Sequence, residues 1–213
     1  MLGDVPDLAA AAEAIGWGIF YNAGQTCHAG SRVVVQESVR DELVARLSEV
    51  AGSFVPADPL QDDTVLGALI SDDHLQGVLG HVQRARLGGA AVLAGGARVS
   101  PVDGGAYMQP TLISVADSSL PVVQEEVFGP VLVIQTAADA DDALRLANDT
   151  RYGFAAALWT ADRRTAGRLA RRLRAGTVWV NTFDASSLAT PFGGVKDSGF
   201  ATAPCTRWTP IPA

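Results

Sequence analysis

The segment NAGQTCHAGSR, residues 22–32, places a cysteine among small residues. A thiolate can attack a carbonyl carbon and later leave, so Cys27 could support covalent catalysis. Free cysteines are also among the most buried residue types, where they serve as inert apolar fillers. The neighbours favour the nucleophile, because Gly24 and Gly30 are poor core residues that let backbone amides approach and donate to an oxyanion. We predict that Cys27 is the reactive thiol.

The three histidines are candidates for a base or for metal ligands. His28 adjoins Cys27, but neighbouring side chains generally point apart, so we expect no hydrogen bond between the two. His74 and His81 are seven residues apart in an amphipathic stretch and could share a helix face, yet no third ligand with metal-site spacing accompanies them. We predict no metal site. A cysteine hydrolase using His74 or His81 as its base remains the lowest-ranked alternative.

Two further segments could hold a cofactor or shape a pocket. In QEEVFGPVLVIQ, residues 124–135, Glu125 and Glu126 are either solvated or accept hydrogen bonds from a diol such as a ribose. Phe128 offers a flat apolar face to a heterocycle. In TPFGGVKDSG, residues 190–199, the glycines suit tight turns around Phe192, and by itself this stretch predicts only a loop.

Short apolar strands and amphipathic helices must position these segments. Asp7 can cap a helix over residues 8–21, whose apolar residues recur at three and four positions. The run VVVQ, residues 33–36, then predicts a buried strand, and Ser38 opens the next helix. The same step recurs along the chain, which predicts one α/β domain with a mainly parallel open sheet and flanking helices. Gly176 is expected to end the arginine-rich helix that begins near residue 163.

Composition narrows the class of protein. The chain has 213 residues, 48% of them apolar, which is enough for a sizeable core. Its net charge of -7 argues against a nucleic-acid partner, which needs clustered cations. The longest apolar stretch is too short for a membrane span, and the first residues lack the features of a secretory signal. Two distant cysteines are a poor disulfide framework, so we expect a cytoplasmic protein.

Taken together and in this order, GQTCHAGSR, EEVFGP and PFGGVKDSG resemble the catalytic half of the aldehyde dehydrogenase superfamily. The intervening stretches YMQPTLI, NDTRYGFAAALWT and AGTVWVN follow the same family pattern, from about Asp4 to Phe200. The resemblance implies an aldehyde dehydrogenase catalytic-domain fold over residues 1–200. It also implies oxidation of an aldehyde to a carboxylic acid with NAD or NADP.

The resemblance also implies a role for each matching residue. Cys27 would attack the aldehyde to give a thiohemiacetal and then a thioester, and its backbone N–H would donate to the oxyanion. Glu126 would hold the nicotinamide ribose, and Phe128 would pack near the nicotinamide ring. Asn181 would support the substrate loop. The residues that would line the substrate pocket are Tyr21, Thr26, His28, Asp184 and Phe192. The sequence of residues 181–199 is most similar to aldehyde dehydrogenases that act on amino-aldehydes. The resemblance does not decide between NAD and NADP as the cofactor.

Several family features match nothing in this sequence. These are the Rossmann-type cofactor domain, the general-base glutamate and the asparagine of the oxyanion hole. Relatives are homo-oligomers closed by a last strand, whereas residues 201–213 read as a divergent, proline-rich, unstructured tail with Cys205 incidental in it. We therefore expect a chain truncated at both ends, prone to association and inactive alone. The alternative is a non-catalytic product that associates with a full-length relative.

Overall fold

The computed structural model describes residues 1–185 and 190–199. Among them the strands are β1 (Arg32–Gln36), β2 (Ala91–Ala94), β3 (Arg98–Val99), β4 (Tyr107–Met108), β5 (Thr111–Ser114), β6 (Val131–Ala137), β7 (Ala155–Leu158) and β8 (Thr177–Val180). The helices are α1 (Leu8–Phe20), α2 (Glu37–Ser53), α3 (Asp72–Leu87), α4 (Pro121–Gln124), α5 (Ala140–Asn148) and α6 (Arg163–Ala170). Single 3₁₀ turns cover Tyr21–Gly24 and Lys196–Ser198. No helix in these ranges is long and apolar enough to cross a membrane.

The main sheet has four strands in the order β1, β6, β5, β2. β6 pairs in parallel with β1 and with β5, as the apolar strand pattern predicts. β2 lies at the edge and runs antiparallel to β5. The expectation of a single mainly parallel sheet needs correction, because the described strands form three sheets. β7 and β8 make a separate parallel pair, and β3 and β4 a short antiparallel one.

Helix α1 forms as its sequence predicts and delivers the chain to the cysteine segment. The side chain of Asp7 accepts a hydrogen bond of 2.9 Å from the backbone N–H of Ala10, which caps the helix. Ile15 and Ile19 are buried against the main sheet and α2. The helix ends at Phe20 because Asn22 and Ala23 take left-handed backbone angles. The chain then turns sharply toward Cys27.

The apolar interior falls into two clusters. The main core lies between β1, β5 and β6 and the helices α1, α2 and α3. A smaller cluster joins α5, α6 and β7, with Leu144, Leu158 and Leu169 buried in it. Burying each such leucine stabilises the fold by roughly 1.5–3 kcal/mol. The cysteine, EEVFGP and PFGGVKDSG segments are connected to strands and helices that belong to these two clusters.

The predicted role of Gly176 is wrong. Helix α6 ends at Ala170, six residues before Gly176 and too early for that glycine to cap it. Gly176 instead lets two chain segments approach, because a Cβ there would overlap the backbone carbonyl of Gly193. The stretch AGTVWVN therefore lies directly against the PFGG segment.

Candidate active site

The loop that carries Cys27 is held by backbone contacts on both sides. Gly24 has φ +72, and a Cβ at this position would overlap the carbonyl of Gly129. The cysteine segment therefore touches the EEVFGP segment backbone to backbone. Beyond the cysteine, the N–H of Gly30 donates to the carbonyl of Gly18 at 3.0 Å, which ties the loop to α1.

Cys27 is exposed, and its backbone N–H donates to no described residue. A short turn follows it, in which the N–H of Ala29 donates to the carbonyl of Thr26 at 3.1 Å. The thiol therefore stands at the tip of a turn with an uncommitted amide beside it. This is the arrangement that attack on a carbonyl and stabilisation of the resulting oxyanion require.

A cavity of about 290 Å³ opens in front of Cys27. The residues that line it include Thr26, His28, Glu126 and Phe128. The Glu126 carboxylate is exposed, and the Phe128 ring is 38% exposed. A carboxylate that accepts from a diol and a ring that packs on a heterocycle thus share one space with the thiol. These residues fit the nicotinamide end of a dinucleotide.

Helix α3 supports the Phe128 side of the cavity through its histidines. The Nε2 of His74 lies 2.8 Å from the carbonyl oxygen of Phe128, to which it donates, and the two rings meet edge to face at 6.2 Å. Phe128 has φ +55, a strained angle for a bulky residue, and His74 helps to hold it. The sequence pattern suggested His74 only as a metal ligand or a base, and it did not predict this contact.

His81 lies one seven-residue step along α3 and faces the same segment, as the spacing predicts. Its Nε2 is 3.9 Å from a carboxylate oxygen of Glu125. Burial, helped by Arg84, lowers the pKa of His81 below its usual value, although Glu125 opposes the shift. The described partners of the two α3 histidines are thus Phe128 and Glu125 rather than Cys27. Among the described residues no three His, Cys, Asp or Glu side chains gather as a metal site would need.

His28, which follows Cys27 in the chain, pairs with Asp184. The Nε2 of His28 lies 3.2 Å from Asp184 Oδ1, and the Nδ1 is buried without a partner among the described residues. Neither ring nitrogen therefore hydrogen-bonds Cys27, as expected for adjacent residues. The rings of Phe183, Trp179 and Phe192 surround the imidazole at 6.1, 6.3 and 5.8 Å. A carboxylate and an imidazole thus sit within a group of aromatic rings.

The remaining predicted pocket residues divide into three groups. Asp184 and Phe192 gather around His28 but do not themselves line the cavity in front of Cys27. Tyr21 is 61% exposed and is not among the cavity-lining residues. Asn181 exchanges two hydrogen bonds of 2.9 Å with the backbone of Thr160, which supports the loop that follows β8. Cys205 and the predicted tail lie outside the described residues.

Left-handed backbone occurs in or next to the segments that carry the candidate site residues. Among the described non-glycine residues with such angles, Phe128 lines the cavity and Asn22 and Ala23 precede Cys27. The others, Asn181, Asp184 and Lys196, lie after β8 and in the closing segment. For Ala23, Phe128 and Lys196 such an angle costs roughly 1–2 kcal/mol and persists only where surrounding contacts enforce it, whereas asparagine and aspartate adopt it more readily. Such strain is typical of functional sites, and no sequence pattern announced it here.

Comparisons with known proteins all identify the same family. The family model described as "Aldehyde dehydrogenase family" matches residues 1–207. The chain is 40% identical over 199 residues to the NADP/NAD-dependent aldehyde dehydrogenase PuuC of Escherichia coli, covering 93% of this chain and 39% of that protein.

Solved structures agree in fold. An indole-3-acetaldehyde dehydrogenase complexed with NAD⁺ superposes with a TM-score of 0.93 at 40% identity, over 96% of this chain and 41% of that one. The γ-glutamyl-γ-aminobutyraldehyde dehydrogenase of Burkholderia cenocepacia J2315 gives a TM-score of 0.92 at 42% identity, over 96% and 41% of the two chains. The chain thus spans about two fifths of the length of these relatives.

Proposed function

The chain belongs to the aldehyde dehydrogenase family, and on that premise we propose that Cys27 is the nucleophile for oxidation of an aldehyde to a carboxylic acid. The observation that carries the proposal is the cavity that Cys27 shares with Glu126 and Phe128. It places a thiol, a diol acceptor and an aromatic face around one space, although they come from segments about 100 residues apart in the sequence.

The chain's own chemistry begins with the Cys27 thiolate. Its Sγ adds to the carbonyl carbon of the aldehyde, and the carbonyl oxygen becomes an oxyanion to which the Cys27 N–H donates. Loss of hydride from the resulting thiohemiacetal leaves a thioester on Sγ. Water then cleaves the thioester, which releases the acid and regenerates the thiol. A sulfur is suited to both steps because it attacks readily and leaves readily.

NAD or NADP would accept the hydride when bound. Glu126 would accept hydrogen bonds from the nicotinamide ribose, and Phe128 would pack against the nicotinamide ring. His74 would keep Phe128 in place through the bond to its carbonyl. Nothing in these contacts distinguishes NAD from NADP.

We infer that the substrates are aldehydes that also carry an amino group. The Asp184 carboxylate is partly exposed, and the rings of Phe183 and Phe192 lie in the same cluster around His28. A carboxylate beside aromatic rings attracts an ammonium group through charge and cation–π interactions. The printed name of the Burkholderia relative, a γ-glutamyl-γ-aminobutyraldehyde dehydrogenase, supports an aldehyde containing nitrogen.

We further propose that residues 1–213 do not oxidise aldehydes by themselves. Glu126 and Phe128 can grip only one end of a dinucleotide, and hydride transfer requires the nicotinamide to be held in contact with the reacting carbon. The competing proposal is that the chain is non-catalytic and associates with a full-length relative. Both proposals make this isolated chain inactive, and they differ in whether Cys27 reacts as an activated thiol.

The test is alkylation of the native chain with iodoacetamide, followed by peptide mapping of Cys27 and Cys205. We expect Cys27 to react before Cys205 and an added aldehyde to protect Cys27. The Cys27→Ala variant is the control. Equal labelling of both cysteines with no protection by aldehyde would contradict the nucleophile. Reduction of NAD or NADP by the chain, lost in Cys27→Ala, would contradict the proposed inactivity.

A further inference from the structure

The last turn of α5 collects side chains from three separate segments of the site. A helix leaves its final carbonyl groups without partners inside the helix, and these carry the negative end of the helix dipole. Here the carbonyls of residues 146–148, at the end of α5, and of residues 149–150, directly after it, all accept hydrogen bonds from the side chains of Arg32, Gln124 or Lys196. We call this group of five carbonyls and three donors the α5 hub.

Arg32 connects the hub to the cysteine segment. It is the first residue of β1 and lies five positions after Cys27. Its guanidinium donates to the carbonyls of Ala147 at 3.0 Å, Asp149 at 3.3 Å and Leu146 at 3.4 Å. Burial lowers the pKa of Arg32, but the group stays charged, and Asp149 favours that charge. A cation is thus fixed at the negative end of α5.

Gln124 connects the hub to the cofactor-side segment. It ends α4, two residues before Glu126. Its Nε2 donates to the carbonyl of Asp149 at 3.1 Å and to that of Ser118 at 2.8 Å. One amide therefore links the start of the EEVFGP segment to the same helix end that Arg32 binds.

Lys196 connects the hub to the closing PFGGVKDSG segment. Its Nζ donates to the carbonyls of Thr150 at 2.9 Å and Asn148 at 3.3 Å. Burial, with Arg174 and Arg32 nearby, lowers the pKa of Lys196. Two flanking backbone contacts hold the segment in the same place. The N–H of Val195 donates to the carbonyl of Gly153 at 2.9 Å, and the N–H of Gly153 donates to Ser198 Oγ at 3.0 Å.

The hub also forms part of the cavity wall. Arg32, Asn148, Thr150 and Ser198 line the same cavity as Cys27. We propose that Lys196 is a positioning residue that, with Arg32 and Gln124 through the α5 hub, fixes the three site segments relative to one another and thereby sets the reactivity of Cys27. This rests on the proposed role of Cys27 as nucleophile. The competing explanation is a helix cap that stabilises the fold without influencing the thiol.

The experiment measures the rate at which iodoacetamide alkylates Cys27 in the native chain, divided by the rate in the same chain unfolded in urea. The variants are Lys196→Met, Gln124→Leu and their double mutant. The control is Arg46→Met, which removes a half-exposed arginine whose side chain, among the described residues, bonds Glu42 on the same helix. Thermal melting of each variant is recorded in parallel.

We expect Lys196→Met and Gln124→Leu each to change the rate ratio by roughly fivefold or more, because small displacements at a reacting group have large effects on rate. The double mutant should change it by less than the product of the two, since both act through one helix end. Arg46→Met should stay within about twofold.

Lower melting temperatures with rate ratios unchanged within about twofold would overturn the proposal and leave only the helix cap. Multiplicative effects in the double mutant would also overturn it, because they would show that the two residues act independently. If Lys196→Met does not fold, Gln124→Leu, which removes no charge, decides alone. A parent chain whose Cys27 gains no reactivity on folding would instead refute the proposed nucleophile. The two failures can therefore be told apart.

Discussion

Replacing Gly24 by alanine tests the contact between the cysteine segment and the EEVFGP segment. Gly24 has φ +72, which costs an alanine roughly 1–2 kcal/mol. The added Cβ would also overlap the backbone carbonyl of Gly129, which cannot rotate away as a side chain could. Overpacking of this kind costs about 1–3 kcal/mol more. The two ranges sum to about 2–5 kcal/mol, and about 3 kcal/mol lies within them.

For a chain of this size a loss of about 3 kcal/mol lowers the melting temperature by roughly 6–12 °C. The alkylation rate of Cys27 should change as well, since the loop can accommodate the methyl group only by moving away from Gly129. Differential scanning calorimetry and peptide-mapped alkylation measure the two effects on the same samples.

Two variants in the same loop serve as controls. In Gly30→Ala the new Cβ would lie 3.5 Å from the Phe183 ring, an ordinary contact, so the melting temperature should change little. In Ala23→Gly the relief of a left-handed alanine and the entropy cost of glycine are of similar size, so the two should nearly cancel. If Gly24→Ala melted within 2 °C or so of the parent and its thiol reacted at the parent rate, the close backbone contact inferred at Gly129 would be wrong.

The remaining predictions concern stability and association. Arg32→Met should lower the free energy of unfolding in urea by about 2–3 kcal/mol, because three carbonyls lose a charged donor, whereas Arg46→Met should change it by less than about 0.5 kcal/mol. Burial lowers the pKa of His81, so the unfolded chain takes up its proton first; the contribution to stability is present above the unfolded pKa of about 6.5 and is lost as the pH falls. Urea titrations should therefore show that the free energy of unfolding falls as the pH goes from 7.5 to 5, and that it falls less steeply in His81→Asn. An equally steep fall in His81→Asn would assign the pH dependence to other groups. Trp17 is 46% exposed beside an apolar groove, so Trp17→Lys should reduce self-association in light scattering, and an unchanged mass would exclude this face.

Sequence reasoning succeeded where the signal is local. The cap at Asp7, the apolar spacing of α1 and the β-branched runs of β1 and β6 are all written in consecutive residues, and the structure has those elements. It failed for the end of α6, whose periodic pattern continues to Arg174. The chain leaves the helix after Ala170 because Asn148 donates to the carbonyl of Arg172 at 3.0 Å and accepts from the N–H of Arg174 at 2.8 Å. Those bonds come from another part of the chain.

The candidate site divides in the same way. Cys27, Glu126 and Phe128 were predicted from their segments, and the structure places them on one cavity. The support of Phe128 by His74 and the pairing of His28 with Asp184 join residues 54 and 156 positions apart. No pattern in a single sequence reports such distances. The left-handed angles of the non-glycine residues could not be predicted either, because glycine is the residue that normally indicates such an angle.

The division of the interior into two clusters has a consequence for how the molecule opens. Proteins exchange their amide hydrogens through partial openings that follow cooperative units. We expect the smaller cluster of α5, α6 and β7 to be one such unit, and the main core, which contains most of the sheet next to Cys27, to be the other. The seam between them passes through the cavity. Deuterium uptake should therefore spread through residues 140–180 before it reaches β6, so that a partly open molecule still keeps its main sheet.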